Sequence, residues 1–352
     1  MIAPGGTIGI LGGGQLGRMI AMAAAQLGYR CHIYAPEGDS VAAEVSAEFT
    51  CADWADRDAM ARFAAACDVI TYEFENIPVG DLAVLGSAAL APGLTALETA
   101  QDRLTEKRFA QAQGGSPAPW ATVDSPGDLA AAIARIGTPG ILKTRRDGYD
   151  GKGQWRIMTP ADADGIDLPD VPLVYEGFID FFAEFSVILC RGRDGDVRFW
   201  DSARNVHDHG ILATCTVPAP AAIAAHVDEA RALATRIAQA LDYIGVLTIE
   251  FFATASGPVF NEMAPRVHNS GHWTIEGALT SQFENHVRAI CGLPLGDTAL
   301  AARAAEMRNL IGDDVHDWAA ILSDPANHLH LYGKVAARPG RKMGHVTRLV
   351  LD

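Results

Sequence analysis

Two glutamates, Glu250 and Glu262, flank a turn at Ala255-Ser256-Gly257, and counting outward from Ser256 sets them opposite each other in a hairpin. Like charges facing across an antiparallel ladder destabilise it, and forced proximity raises one carboxyl pKa, unless a cation lies between them. Mg²⁺ or Mn²⁺ is the expected occupant, since a hard divalent ion is commonly held by one or two carboxylates together with substrate phosphates. Upstream lies a matching phosphate device, Lys143-Thr-Arg-Arg-Asp-Gly-Tyr-Asp-Gly-Lys-Gly-Gln154, in which a strand-borne lysine leads into a glycine-rich basic loop. The loop lacks the Gly-Lys-Ser/Thr ending of a P-loop and opens no helix, so it is expected between strands, with backbone amides and Lys152 facing phosphate oxygens. Together these features predict nucleoside triphosphate chemistry.

The elements that must carry these residues follow from pattern. Thr7–Leu11 reads as a strand, Gly12-Gly-Gly-Gln-Leu-Gly17 as a tight turn, Arg18–Gly28 as a helix and Arg30–Tyr34 as the next strand, a βαβ unit. A strand at Val69–Glu73 runs into Phe74-Glu-Asn-Ile-Pro78, which places polar side chains at a strand's carboxyl end. Thr95-Ala-Leu-Glu98 resembles a capping box that opens a helix through Gln113. Strands and a helix at Pro126–Ile136 then alternate to about residue 175, and Leu173–Ile179, Glu184–Leu189 and Val197–Trp200 are expected as antiparallel strands before a helix at Ala221–Leu241. The predicted class is α/β and α+β. It comprises a doubly wound (Rossmann-like) domain over 1–94, a second domain over 95–291 with a small lid lobe at about 117–175, and a small C-terminal domain over 292–352.

Other groupings are less specific. Gly12-x-Gly14-x-x-Gly17 has dinucleotide spacing, but it equally suits a close strand-to-helix turn or a phosphate monoester site. Glu176-Gly-Phe-Ile179 could present backbone groups to adenine while Glu184 accepts from ribose hydroxyls. Asn261-Glu-Met-Ala-Pro-Arg266-Val-His-Asn-Ser-Gly-His272 gathers amide, guanidinium and imidazole groups just after a strand. His268 and His272 have the spacing of zinc helices, yet Gly271 and the missing Glu argue against zinc, and an arginine beside a metal better suits phosphoryl charge.

Composition sets the limits. Among 352 residues 49% are hydrophobic and 20% charged, and the net charge of −15 disfavours general contact with nucleic acid or an anionic membrane. No apolar run approaches the roughly 18 residues of a spanning helix, and the start lacks the features of a secretory signal, so a soluble cytoplasmic protein is expected. The six cysteines are scattered without metal or disulfide spacing and are expected as reduced, mostly buried thiols.

The assembled motifs resemble the ATP-grasp superfamily and, within it, the N5-carboxyaminoimidazole ribonucleotide synthetase family of purine biosynthesis. The segments are Gly-Gly-Gly-Gln-Leu-Gly-Arg-Met19, Thr-Tyr-Glu-Phe-Glu-Asn76, Asp-Arg-Leu-Thr-Glu-Lys107, Gly-Tyr-Asp-Gly-Lys-Gly-Gln154, the 261–272 run and Arg-Pro-Gly-Arg-Lys-Met-Gly-His345. The resemblance implies a ligase that uses Mg-ATP to activate bicarbonate as carboxyphosphate and carboxylates the exocyclic amine of aminoimidazole ribonucleotide. It places Arg103, Lys143, Gly148, Tyr149, Asp150, Gly151, Lys152, Gly153 and Gln154 on ATP phosphates, Glu176, Gly177, Phe178 and Ile179 on adenine, and Glu184 on ribose near His207. Asn261 joins the nucleotide set beside Glu262, and Glu250 and Glu262 hold the metal. Arg266, His268 and Asn269 line the bicarbonate or carboxyphosphate site. The imidazole nucleotide is expected against Gln15, Leu16, Glu73 and Asn76, with Tyr149 and Asp150 at its reacting end and Lys334 and Arg341 on its phosphate. One departure is Ala183, where the family often has a basic residue. A homodimer is also implied.

Overall fold

The computed structural model describes residues 1–85, 90–148 and 153–351. It opens with β1 (Thr7–Leu11), α1 (Gln15–Gln26), β2 (Arg30–Ala35), β3 (Glu48–Cys51), α2 (Arg57–Ala65) and β4 (Val69–Tyr72). The four strands form a parallel sheet in the order β3-β2-β1-β4. Strands β1, β2 and β4 are buried almost throughout, the pattern of a sheet covered on both faces. The short, largely exposed β3 escaped the sequence reading because its residues offer little apolar signal.

Next come α3 (Leu94–Gln101), α4 (Arg103–Ala112), β5 (Trp120–Val123), α5 (Pro126–Ile136), β6 (Gly140–Thr144), β7 (Gln154–Ile157) and β8 (Leu173–Gly177). Strands β5-β8-β6-β7 make a small antiparallel sheet backed by α5. The expected single helix from Thr95 to Gln113 is two helices. Asp102 has extended backbone angles (φ −124°, ψ 112°), and its carboxylate accepts from the Leu104 and Thr105 amides, starting α4 afresh. Thr95 lies inside α3, capping nothing; the cap position is Gly93.

The remainder is β9 (Ala183–Arg191), β10 (Val197–Phe199), β11 (Ala203–Asp208), β12 (Ile211–Val217), α6 (Ala221–Ala240), β13 (Gly245–Thr254), β14 (Gly257–Ala264), α7 (Thr274–Gly277), α8 (Gln282–Cys291), β15 (Ala304–Ile311), α9 (Trp318–Leu322), β16 (Asn327–Leu331) and β17 (Lys342–Val350). One sheet runs β14-β13-β9-β11-β12-β15-β17-β16, with β10 also on β9, so the C-terminal strands continue the central sheet through the β12–β15 pairing. A single apolar cluster joins β1 and α1 (Ile8, Met19, Ile20) to α8 (Phe283, Val287, Ile290), Val246 and Met307. Full burial of each such side chain contributes about 1.5–3 kcal/mol, so this cluster fixes the first sheet against the central one.

Candidate functional site

The break at Asp102 aims one face of α4 into the site. Arg103, Glu106 and Lys107 stand at i, i+3 and i+4, and each grips a different piece. Arg103 Nη2 donates to Gly148 O at 2.9 Å, and its Nη1 lies 3.4 Å from Glu262 Oε2. Glu106 accepts from the Met263 amide at 2.6 Å; burial and then the nearby Glu262 charge push its carboxyl up to about 8. Lys107 Nζ is 3.1 Å from Glu176 Oε1, while Lys143 Nζ, reaching from β6, is 2.9 Å from Glu176 Oε2. Burial opposes the charge on Glu176, but the two lysines prevail and hold its carboxyl down at about 2. Asp102 also binds Arg145 at 2.8 Å and Arg146 at 3.4 Å, tying the end of β6 to the start of α4.

On the β13–β14 hairpin Glu250 and Glu262 are register partners. The turn is Ala255-Ser256, with Thr254 opposite Gly257, and regular counting from it would pair Glu250 with Asn261. A bulge between Glu250 and Phe251 absorbs the extra residue and brings Glu262 into line. The facing is as expected, but the bulge produces it, and centring the count on Ser256 happened to allow for it. Glu250 is buried, and its carboxyl is pushed up to about 7 by burial and then by Glu262. His207 Nδ1 sits 2.6 Å from Glu184 Oε2; burial opposes protonation of this imidazole, and the contact with Glu184 together with the Glu250 and Glu262 charges outweighs it, raising its pKa.

The segment after β14 carries the third group. Arg266 Nε donates to Glu75, and Nη1 donates to Val267 O at 3.1 Å. His268 Nδ1 accepts from the Ser270 amide at 3.3 Å, which leaves the proton of the neutral ring on Nε2, 3.6 Å from Glu250 Oε1. Burial, then the Arg266 charge, holds His268 well below the ordinary imidazole range. The buried Asn269 Oδ1 has no hydrogen-bond partner within the protein among the described residues, the condition of an atom waiting for a ligand.

The fourth group lies across a cleft. A cavity of about 240 Å³ is lined by Gly12, Gly13, Gly14, Glu73, Lys334 and Arg341, among others, so the C-terminal cations do fold back to the glycine turn. Lys334 Nζ donates to Lys342 O at 2.7 Å, and Arg341 Nη1 donates to Ala336 O at 2.9 Å. The turn itself is not open to an anion at every amide. Gly14 N donates to Glu73 Oε1 at 2.8 Å, and Gly17 N to Oε2 at 3.4 Å, so this carboxylate occupies the N-terminus of α1. A Cβ on Gly12 or Gly14 would come within 2.7 Å of Glu73 Oε1, which explains the glycines as room for that carboxylate.

Other expectations divide. The Leu16 side chain is buried in the apolar cluster, and Gln15 and Asn76 are half-buried. Glu176 points into the lysine pair, the Gly177 and Phe178 amides donate to Pro119 O and Pro139 O at 2.8 and 3.0 Å, and Phe178 is exposed. Gln154 pairs with Lys143 across β6–β7, and Gly153 has φ 64° with no room for a Cβ beside Thr144. Tyr149, Asp150, Gly151 and Lys152 lie outside the described residues. Among the described residues no group of three or more His, Cys, Asp or Glu is arranged for a metal, so a metal here needs ligand or water oxygens beside the two glutamates. No described helix is long and apolar enough to cross a membrane. Sequence reasoning missed Lys107, Glu106, Glu75 and the Asp102 break. Asp102 followed by Glu106 in a first turn was the available signal.

Residues 6–101 match the ribonucleotide synthetase preATP-grasp domain, 108–283 the ATP-grasp domain and 305–351 the phosphoribosylaminoimidazole carboxylase C-terminal domain. A Brucella melitensis protein named N5-carboxyaminoimidazole ribonucleotide synthase is 49% identical across 99% of this chain and 97% of its own length. A Pseudomonas aeruginosa protein of the same name is 44% identical, covering 98% and 95%. The Thermus thermophilus synthetase crystal structure superimposes with a TM-score of 0.90 at 46% identity, covering 97% of this chain and 93% of that one. The Aspergillus clavatus synthase, solved with ADP and 5-aminoimidazole ribonucleotide, gives 0.91 at 30% identity, covering 99% and 94%.

Proposed function

The chain belongs to the N5-carboxyaminoimidazole ribonucleotide synthase family of ATP-grasp ligases, and from that premise we propose how its own residues divide the work of carboxylating 5-aminoimidazole ribonucleotide with ATP and bicarbonate. The observation that carries the reading is the cleft in which Lys334 and Arg341 face the Gly12–Gly14 turn and Glu73. It joins cations for a 5′-phosphate to a carboxylate able to accept from ribose hydroxyls.

Lys143 and Arg103 orient the ATP phosphates, and the backbone of Gly177–Ile179 borders the adenine. Glu184, held by His207, accepts from the ribose. Glu250 and Glu262 fit Mg²⁺ or Mn²⁺, because a cation offsets the burial and the Glu262 repulsion that raise the Glu250 pKa. When bound, the metal neutralises charge on the transferring phosphoryl group. Arg266, the Asn269 amide and the neutral His268 Nε2–H position bicarbonate, one oxygen of which attacks the γ-phosphorus as ADP departs. The exocyclic amine nitrogen then attacks the carboxyl carbon, phosphate leaves, and the nitrogen gives up one proton. Tyr149, Asp150 and Lys152 are assigned to the cover that keeps water from the acyl phosphate. A homodimer in the cytoplasm completes the proposal.

The decisive assay is ADP release with bicarbonate and the imidazole nucleotide each omitted in turn. Full turnover requires both, and undiminished coupled turnover without the imidazole nucleotide overturns the substrate.

A further inference from the structure

Lys107 is a lysine with 1% exposure that the chemistry above does not use. A buried ammonium costs several kcal/mol unless it is paired, and its partner is a carboxylate already claimed by Lys143. Glu176 Oε2 accepts from Lys143 Nζ at 2.9 Å, while its Oε1 faces Lys107 Nζ as an ion pair at 3.1 Å. All three side chains are buried. Two cations and one anion leave this trio with a net charge of +1, on the face that also carries Arg103.

We propose that Lys107 is a positioning residue that takes one oxygen of Glu176 so that the charge of Lys143 stays available to nucleotide phosphates. Without Lys107, Glu176 and Lys143 form a neutral pair, and the carboxylate is free to draw the Lys143 ammonium inward. With it, Glu176 is pulled from both sides, and Lys143 is fixed near the end of β6. The helix break at Asp102 makes this possible, because a continuous helix would carry Lys107 around a different arc. A simple fastening of helix to sheet accounts for the Lys107–Glu176 contact but not for the sharing of Glu176.

This inference rests on the proposed ATP site, and the test separates the two. Mg-ADP binding is measured by calorimetry on the full-length parent, K107M and K107R, with AMP as the short-phosphate comparison. Loss of the net charge is expected to weaken Mg-ADP by about tenfold or more in K107M, equivalent to about 1.4 kcal/mol. K107R, which keeps the charge, should stay within about threefold of the parent. AMP should lose less than Mg-ADP in K107M, and KM for the imidazole nucleotide should hold. If K107M does not fold, K107Q replaces it, since it removes the charge while keeping a polar group in the buried position. A parent that binds no Mg-ADP sinks the ATP site itself. A parent that binds while the neutral variant binds equally well, or while K107R loses as much as the neutral variant, overturns the role of Lys107.

Discussion

The two sides of the cleft are held by different physics. On the nucleotide side Lys107, Lys143 and Glu176 are buried and paired with one another, and the half-buried Arg103 lies near Glu262. On the acceptor side Lys334 and Arg341 are half-buried at a cavity and anchored through backbone carbonyls. At Arg341 the carbonyl anchor directs the cation without neutralising it. The nucleotide side is thus pre-organised through a network whose members cannot be removed singly without exposing a buried charge, whereas on the acceptor side the carbonyl-anchored Arg341 acts nearly independently of that network.

Mutations should therefore have large, linked effects on one side and modest, separable ones on the other. The largest is expected from E262Q, which removes one of the facing carboxylates. Turnover should fall by about 3 to 5 kcal/mol in the transition state, roughly a hundredfold to several thousandfold. Steady-state ADP release with titrated Mg²⁺ reads it, and near-normal turnover would remove Glu262 from the metal site.

At the seam between the sides, His286 on α8 accepts from the Val246 amide through Nδ1 at 3.2 Å and meets Thr71 Oγ1 through Nε2 at 2.8 Å. Burial lowers its pKa from 6.5 to about 4. A depressed imidazole pKa stabilises the fold above the unfolded value and loses that contribution as pH falls from about 6.5 to 4, because the unfolded state binds the proton more readily. The apo protein should lose about 3 kcal/mol across this window from His286 alone. Denaturant titrations of parent and H286N at several pH values check this; an unchanged pH slope in the variant contradicts it.

R341A probes the separable side. Loss of one charge-assisted contact should raise KM for the imidazole nucleotide by about ten- to a hundredfold, with ATP affinity by calorimetry almost unchanged. A joint fall of both affinities would mean that the tail is structural. The smallest effect should come from D102N, which keeps a capping oxygen for α4 but loses the charge facing Arg145. A stability loss of about 1 kcal/mol is expected, with faster proteolysis near residue 148; identical melting and cutting would show that the break stands without it.

Legibility in the sequence followed the range of the interaction. The βαβ start, α5 and the 261–272 run were readable because periodicity and turn residues act within a few positions. The carboxylate hairpin was readable in outcome, although the bulge that sets its register was not. The α3–α4 break was present as an N-cap signal at Asp102 but was masked by helical pattern on both sides.

By itself the sequence determined the parallel N-terminal sheet, the hairpin and the chemical types at the site, since each depends on local spacing. The tertiary structure alone decided which partner each charge received: Glu73 at the N-terminus of α1, Glu75 on Arg266, and Glu176 shared between lysines 36 residues apart in the chain. Pairing of buried charges is set by desolvation across distant segments, and nothing in a residue's sequence neighbourhood records which opposite charge the packing will bring within 3 Å.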